Sequence, residues 1–345
     1  MAKRKKNHSA RPAAQAAPRK KSSGLKWWLI AAAAVFVVAT VVVGVILLTG
    51  KDGGPEDPGY QGISPTVDAS GATTMRIVKA GTAYLTPDTA SGTVFSFRRG
   101  DRVEVVAMDA NWVTISVQGR GYYLPREMVR GLEEYVIVLD AGHQLREDIG
   151  KEAIGPGGAE TEKKMDVGGV GVVTEQAEYD VTLAVCLQLK ATLESRGYTV
   201  YLTRNHNGAN ISYKDRAMVA NNLNADAYLT LHSGHSTDPE ARGVGAVCQT
   251  EKNPYISDLY TENKKLCQTI LDAMAKSTEN KKLELRQTDK LSGINWCRTP
   301  MAMLEMGYLS NENDDRLLSS DQYRQKLVEG IADGLDAYFT AENKK

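Results

Sequence analysis

From Tyr135 onward, short apolar runs alternate with amphipathic stretches, and this rhythm restricts the chain more than any other feature. "YVIVLDAGH" reads as a strand. "EYDVTLAVCLQLKATLESRG" places Val181, Val185, Leu189 and Leu193 at helical spacing and stops at Gly197. "YTVYLTR" is a second strand, and "SYKDRAMVANNLNA" opens with Ser212 and Asp215, a capping box of the S-x-x-D kind. "DAYLTLH" and "MAMLEMG" are further strands, and "LYTENKKLCQTILDAMAKS" and "SSDQYRQKLVEGIADGLDAYF" are helices. Alternation of this kind predicts an α/β domain over residues 135–341, with a mostly parallel twisted sheet flanked by helices.

The chain before Tyr135 follows other rules. Residues 75–131 carry short alternating runs, with Val103, Val105 and Ala107 on one face, and about five strands in so short a segment predict a small all-β barrel. The stretches "AYLTPDTASG", "RRGDRVEVV" and "NWVTISVQGRGYYLPREMV" resemble bacterial SH3-like domains. Residues 51–74, rich in Gly, Pro, Ser and Thr, form a flexible linker. Trp27–Gly50 is 24 residues without a charge. As a helix it would reach ~36 Å, enough to span a ~30 Å hydrocarbon layer.

Formal charge supports this layout. The total is zero, with 42 basic and 42 acidic residues. Nine of the basic residues fall in positions 1–26, which hold no acid, so the remainder is near −9. A basic tail beside an apolar run belongs on the cytoplasmic face, with Trp27 and Trp28 at the interface. The run is longer than a signal-peptide core, and no small-x-small cleavage signal follows it, which favours a retained anchor over a cleaved leader. The expectation is a single-pass membrane protein with its N-terminus cytoplasmic and its body extracytoplasmic. Cys186, Cys248, Cys267 and Cys297 show no metal-type spacing. A Cys248–Cys297 disulfide and buried free thiols are both compatible with that location.

In open α/β sheets, ligands gather at the carboxyl ends of the strands. His143 ends the first strand, His232 ends "AYLTL", Glu305 lies within "MAMLEMG", and Glu178 opens the helix that leads back from the same rim. Two imidazoles and a carboxylate suit zinc with one position left open, and a second carboxylate suits a general base. The pattern leaves open which glutamate does which, and His235 is an alternative ligand. Glu305 stands out because an unpartnered carboxylate inside an apolar strand costs several kcal/mol. His206 is expected to be solvated, and His8 lies in the tail.

"VIVLDAGH", "EYDVTL", "GYTVYLTR", "KDRAMVANNLNADAYLTLHS" and "PMAMLEMGYLSNENDDRLL" resemble, in this order, the blocks of zinc-dependent N-acetylmuramoyl-L-alanine amidases. The resemblance covers about 200 residues, from Tyr135 to about Phe339. It implies Zn2+ held by His143, Glu178 and His232, with Glu305 as catalytic base. It also implies scaffold or rim positions for Asp140, Arg204, Arg216 and Asn311. The implied partner is peptidoglycan, cut between muramic acid and L-alanine, with no nucleic acid involved and any protein regulator unknown. The alternative is a catalytically inactive wall-binding or regulatory protein built on the same domain. The chain departs from the family pattern at "GHQL" and "HSGH", and by a long segment between His143 and Glu178. That segment and Trp296 are expected to shape or gate the cleft, unless the segment is a flexible surface insertion.

Overall fold

Seven short strands open the described part of the chain: β1 (Thr73–Ile77), β2 (Gly81–Tyr84), β3 (Thr93–Phe97), β4 (Arg102–Met108), β5 (Trp112–Val117), β6 (Arg120–Pro125) and β7 (Val129–Gly131). The computed structural model describes residues 64–343. The basic tail, the 27–50 run and most of the 51–74 linker lie outside those residues. No helix among the described residues is long and apolar enough to cross a membrane.

The seven strands form one antiparallel sheet in the order β3-β2-β6-β5-β4-β1-β7. It encloses its own core, with Ile77, Phe95, Val113, Ile115, Tyr122 and Leu124 buried. The edge of Phe95 meets Tyr122 with centroids 4.9 Å apart. The β5–β6 hairpin closes on Gln118 and Gly119, both at positive φ, the backbone that a tight two-residue turn requires. The expected alternation fails at Ala107, which is exposed. A bulge between Val105 and Ala107 shifts the register there and breaks the period of two. The count exceeds five because β2 and β7, at four and three residues, are too short to show a period.

The second layer begins at β8 (Val136–Ala141). It continues with β9 (Asp148–Ala153), β10 (Thr161–Met165), α1 (Glu178–Ser195), β11 (Thr199–Leu202), α2 (Tyr213–Asn222) and β12 (Ala227–Gly234). After these come β13 (Gly245–Cys248), α3 (Tyr260–Thr278), β14 (Arg286–Gln287), the one-turn α4 (Ser292–Asn295), β15 (Met301–Tyr308), α5 (Glu312–Leu318) and α6 (Asp321–Asn343). The main sheet runs β11-β8-β12-β15-β13-β14. β11, β8, β12 and β15 are mutually parallel, and only the β13–β15 pair is antiparallel.

Both faces of this sheet are covered, which is why β8 reads as an unbroken apolar run. Ile137 and Leu139 pack with α1, α3 and α6, whereas Val138 and Tyr228 pack with α2 and Ile294 of α4. In α1, Val181, Val185, Leu189 and Leu193 form the buried stripe. Gly197, at φ 91°, ends that helix. The Ser212 hydroxyl accepts from the Asp215 N–H at 3.1 Å and starts α2 as the capping box predicts. The four cysteines are buried free thiols. Cys248 lies beside Cys267, and Cys297 is hydrogen-bonded to the Thr299 carbonyl.

The segment between β8 and α1 is not a flexible insertion. β9 and β10 pair as an antiparallel hairpin whose side chains alternate between more and less exposed positions along each strand. The Glu152 carboxylate accepts from Lys214 N and from the Ser292 hydroxyl, both at 3.0 Å. The Trp296 indole donates to the Ala153 carbonyl at 2.7 Å. Trp296 therefore fastens the hairpin to the domain, and Lys214 lies over its ring at 4.1 Å.

The two layers meet at Asp226, whose side chain is 1% exposed. Its carboxylate accepts from Arg76 at 2.6 Å, Arg99 at 3.0 Å and Arg130 at 2.6 Å, all from the seven-stranded layer. It also accepts from Val136 N at 2.8 Å, at the start of β8. Burial works against the charge on Asp226, but the three guanidiniums outweigh it and hold the carboxyl below its ordinary value. The stabilisation is thus fully present above the unfolded-state value near pH 3.9 and fades as pH falls through the lower folded one. Asp226→Ala is expected to cost about 3–5 kcal/mol, because it strands three arginines against one another. Thermal unfolding should show this loss at pH 7, and the difference between variant and wild type should shrink below pH 4.

Candidate metal centre

Three consecutive carbonyls at the end of β8 are held by two buried arginines. Arg216 donates to the Ala141 carbonyl at 2.6 Å and the His143 carbonyl at 2.9 Å. Arg204 donates to Ala141 at 2.8 Å and Gly142 at 3.0 Å. Asp140 balances part of this charge: it accepts from Arg216 at 2.8 Å and from the Thr230 and Thr203 hydroxyls. Burial and the neighbouring Arg216 lower the Arg204 guanidinium to about 10, so it stays charged at neutral pH.

Held in this way, the chain turns sharply. His143 sits at φ 61°, a left-handed backbone that a non-glycine residue adopts at a cost. Gly142 permits the turn to press on the neighbouring strand, since a Cβ there would lie 2.5 Å from the His232 ring. Gln144, fully buried, locks the exit: its amide donates to the Arg146 carbonyl and to Asn210, and its oxygen accepts from Ile211 N and Arg216. Gln144 thus acts as a strut between β8 and the loop before α2.

This geometry brings His143, Glu178 and His232 together. His143 Nε2 lies 3.1 Å from His232 Nδ1, and Glu178 Oε1 lies 3.2 Å from each of those nitrogens. Among the described residues this is the group with ligand atoms close enough to share a metal. The edges of the triangle test the fit: a tetrahedral cation bound at ~2.0–2.1 Å needs its ligand atoms about 3.3–3.4 Å apart. Edges of 3.1–3.2 Å come within a few tenths of an ångström of that value. Glu178 is steadied by Ser233 N on Oε1 at 2.8 Å and Gly169 N on Oε2 at 2.9 Å.

The electrostatics suit a cation. Burial opposes charge on Glu178, yet hydrogen bonds from the two imidazoles hold its carboxyl far below the ordinary range. Burial likewise opposes a charged His143, but Asp166 and Glu178 override it and raise the imidazole to about 9. Without metal, the triangle therefore holds a proton where a cation would sit. Below about pH 9, metal uptake should release that proton, and apparent affinity should fall as pH drops.

Asp166, just past β10, packs its carboxylate against His143 Nδ1. It was not among the candidates read from the sequence, where nothing local in "MDVGG" marks it; only the returning hairpin brings it to the site. The arm that follows crosses the triangle closely. Gly168 is at φ 74°, and a Cβ there would meet His143 at 2.7 Å and Glu178 Oε2 at 2.8 Å. Val173 N and Thr174 N donate to Asp315 of α5 and pin the arm down.

Glu305 lies on β15 in register with His232. Its Oε1 accepts from Arg286 at 2.7 Å. His235 is exposed, beyond the end of β12, and stands outside the triangle, whereas His206 is exposed in its turn. Asn311 caps α5, accepting from Asn313 N and Asp314 N, and donates to the Pro239 carbonyl.

Residues 137–337 match the N-acetylmuramoyl-L-alanine amidase family. A relative described as a probable cell wall amidase, LytH of Staphylococcus aureus, is 25% identical over 271 residues, covering 74% of this chain and 80% of that one. The N-acetylmuramyl-L-alanine amidase Ami1 from Mycobacterium smegmatis shares the fold, with a TM-score of 0.55 at 21% identity over 60% of this chain and 97% of that chain. The apo form of Ami1 from Mycobacterium abscessus gives a TM-score of 0.54 at 21% identity, over 59% and 98%.

Asp166→Asn is expected to weaken binding of a divalent cation at the triangle by roughly 10- to 100-fold, because it removes the carboxylate packed against His143 Nδ1. Competition against a chromophoric chelator measures this directly, and wild-type affinity would remove Asp166 from that role.

Proposed function

Because the chain belongs to the N-acetylmuramoyl-L-alanine amidase family, we propose that it is a zinc-dependent peptidoglycan hydrolase. It cleaves the amide between N-acetylmuramic acid and the L-alanine of the stem peptide. The observation that carries this reading is the triangle of His143, Glu178 and His232 with edges of 3.1–3.2 Å, beside Glu305 in register on the next parallel strand.

His143, Glu178 and His232 would hold the ion, and Asp166 packs against the ring of His143. When bound, zinc supplies Lewis acidity that polarises the scissile carbonyl and brings a water's pKa near neutrality. Glu305 takes the proton from the attacking water and returns it to the leaving L-alanine nitrogen, so that the C–N bond breaks as a free amine departs. The arm over the triangle keeps bulk solvent from the His143–Glu178 side.

The layer of β1–β7 is an SH3-like accessory domain for wall peptides in this reading. Support comes from the "RRGDRVEVV" and "NWVTISVQGRGYYLP" stretches, which supply β4, β5 and β6. The uncharged 24-residue run behind a basic tail supports a single membrane span with the enzyme outside the cytoplasm. In that location the chain works next to its polymer.

Digestion of purified sacculi with the protein, followed by mass spectrometry, is expected to yield intact stem peptides with new N-terminal L-alanine, and none when a chelator is added. Glu305→Gln should retain zinc and fold while losing turnover by roughly 10²- to 10⁴-fold. Sacculi left uncut by the zinc-loaded protein would overturn the proposal.

A further inference from the structure

Glu305 stands on an apolar strand, and among the described residues one side chain donates to it. That donor is Arg286, whose Nη2 lies 2.7 Å from Oε1. The arginine reaches Glu305 from β14, two strands away. β13 lies between them, paired antiparallel to β15 and parallel to β14. It places Gly245 opposite Glu305, so no side chain intervenes at that point. A Cβ on Gly245 would come within 3.0 Å of Oε2, the carboxylate oxygen that Arg286 leaves free.

β14 is two residues long, yet its backbone is well tied. Arg286 and Gln287 pair with Val247 and Cys248. Leu283 N donates to the Val244 carbonyl, and Thr288 N to the Cys248 carbonyl, both at 2.9 Å. The edge strand is therefore fixed without help from the arginine side chain. The Arg286 side chain is 55% exposed and that of Glu305 is 13% exposed. An ion pair this open to water contributes little to folding. Its geometry does more: a carboxylate held at one oxygen presents the other in a fixed direction.

We propose that Arg286 is a positioning residue for the general base: it holds Oε1 of Glu305 so that Oε2 faces the reacting water and the leaving nitrogen. This rests on the reading of Glu305 as the base. Arg286 touches neither the three metal-binding side chains nor, in this role, the substrate. It sets the orientation of the group that moves the proton, and misorientation of such a group costs rate more than binding.

The test uses the full-length, zinc-loaded chain with a soluble muropeptide, comparing wild type, Arg286→Ala, Arg286→Lys, Glu305→Gln and the Arg286→Ala/Glu305→Gln double variant. Arg286→Ala is expected to lower kcat by roughly 10- to 100-fold, with KM, zinc stoichiometry and Tm unchanged. Arg286→Lys should restore part of kcat, and Arg286→Ala should add no further loss in the Glu305→Gln background. A wild-type kcat in Arg286→Ala overturns the proposal, as does a raised KM with kcat intact or an equal loss with and without Glu305. A wild-type chain that releases no product overturns the amidase reading itself and the role of Arg286 with it. An active wild type with an indifferent Arg286→Ala overturns the role of Arg286 alone.

Discussion

The capture of the Ala141, Gly142 and His143 carbonyls by Arg204 and Arg216 is the interaction on which the rest of the site depends. A left-handed histidine costs on the order of 1–3 kcal/mol. Hydrogen bonds from a charged donor contribute about 1.5–3 kcal/mol each, and four of them converge on this turn, so the strained backbone prevails. The arginines are tolerable in the interior because nearly every N–H they carry toward the turn has a carbonyl or carboxylate to meet, with Asp140 supplying the nearest negative charge. The consequence is mechanical. The imidazole is aimed by groups buried beneath it rather than by its own contacts with solvent.

The second support comes from above. The β9–β10 hairpin is bound to α2 and α4 through Glu152, Glu162 and Trp296, and its return delivers Asp166 and Gly168 to the triangle. The segment expected to gate the cleft is thus part of the metal site's own wall. Trp296 serves it at a distance, as a fastener. Arg286 plays a comparable part for Glu305 from the opposite edge of the sheet. His143 and Glu305 each have a neighbour from a distant segment that packs against the side chain.

Much of this was legible in the sequence, and the part that was not has a common physical character. The α/β alternation, the Ser212 cap, the stripe from Val181 to Leu193 and the parallel core strands followed from period and capping, which are local. The convergence of His143, Glu178 and His232 was legible because strand ends in such sheets share an edge. Asp166 and Arg286 were not, since their partners lie 23 and 19 positions away across turns that carry no period. The hairpin was read as a loop because its strands are short and the segment is rich in glycine, from Gly150 to Gly171. Ala107 was misplaced by a bulge, which sequence does not announce. The grounds for assigning the 27–50 run to a membrane are its lack of charge and its basic flank.

Gly168 closes one side of the metal triangle, lying so near His143 and Glu178 that no side chain fits there. His232 is the third corner, in register with Glu305, which Arg286 holds at 2.7 Å. Under the proposed amidase reading, an amide reaches the triangle from the side that Gly168 leaves open. The arm makes the site asymmetric, and under that amidase reading the asymmetry makes cutting a wall polymer a question of how the strand is laid down before any bond is broken.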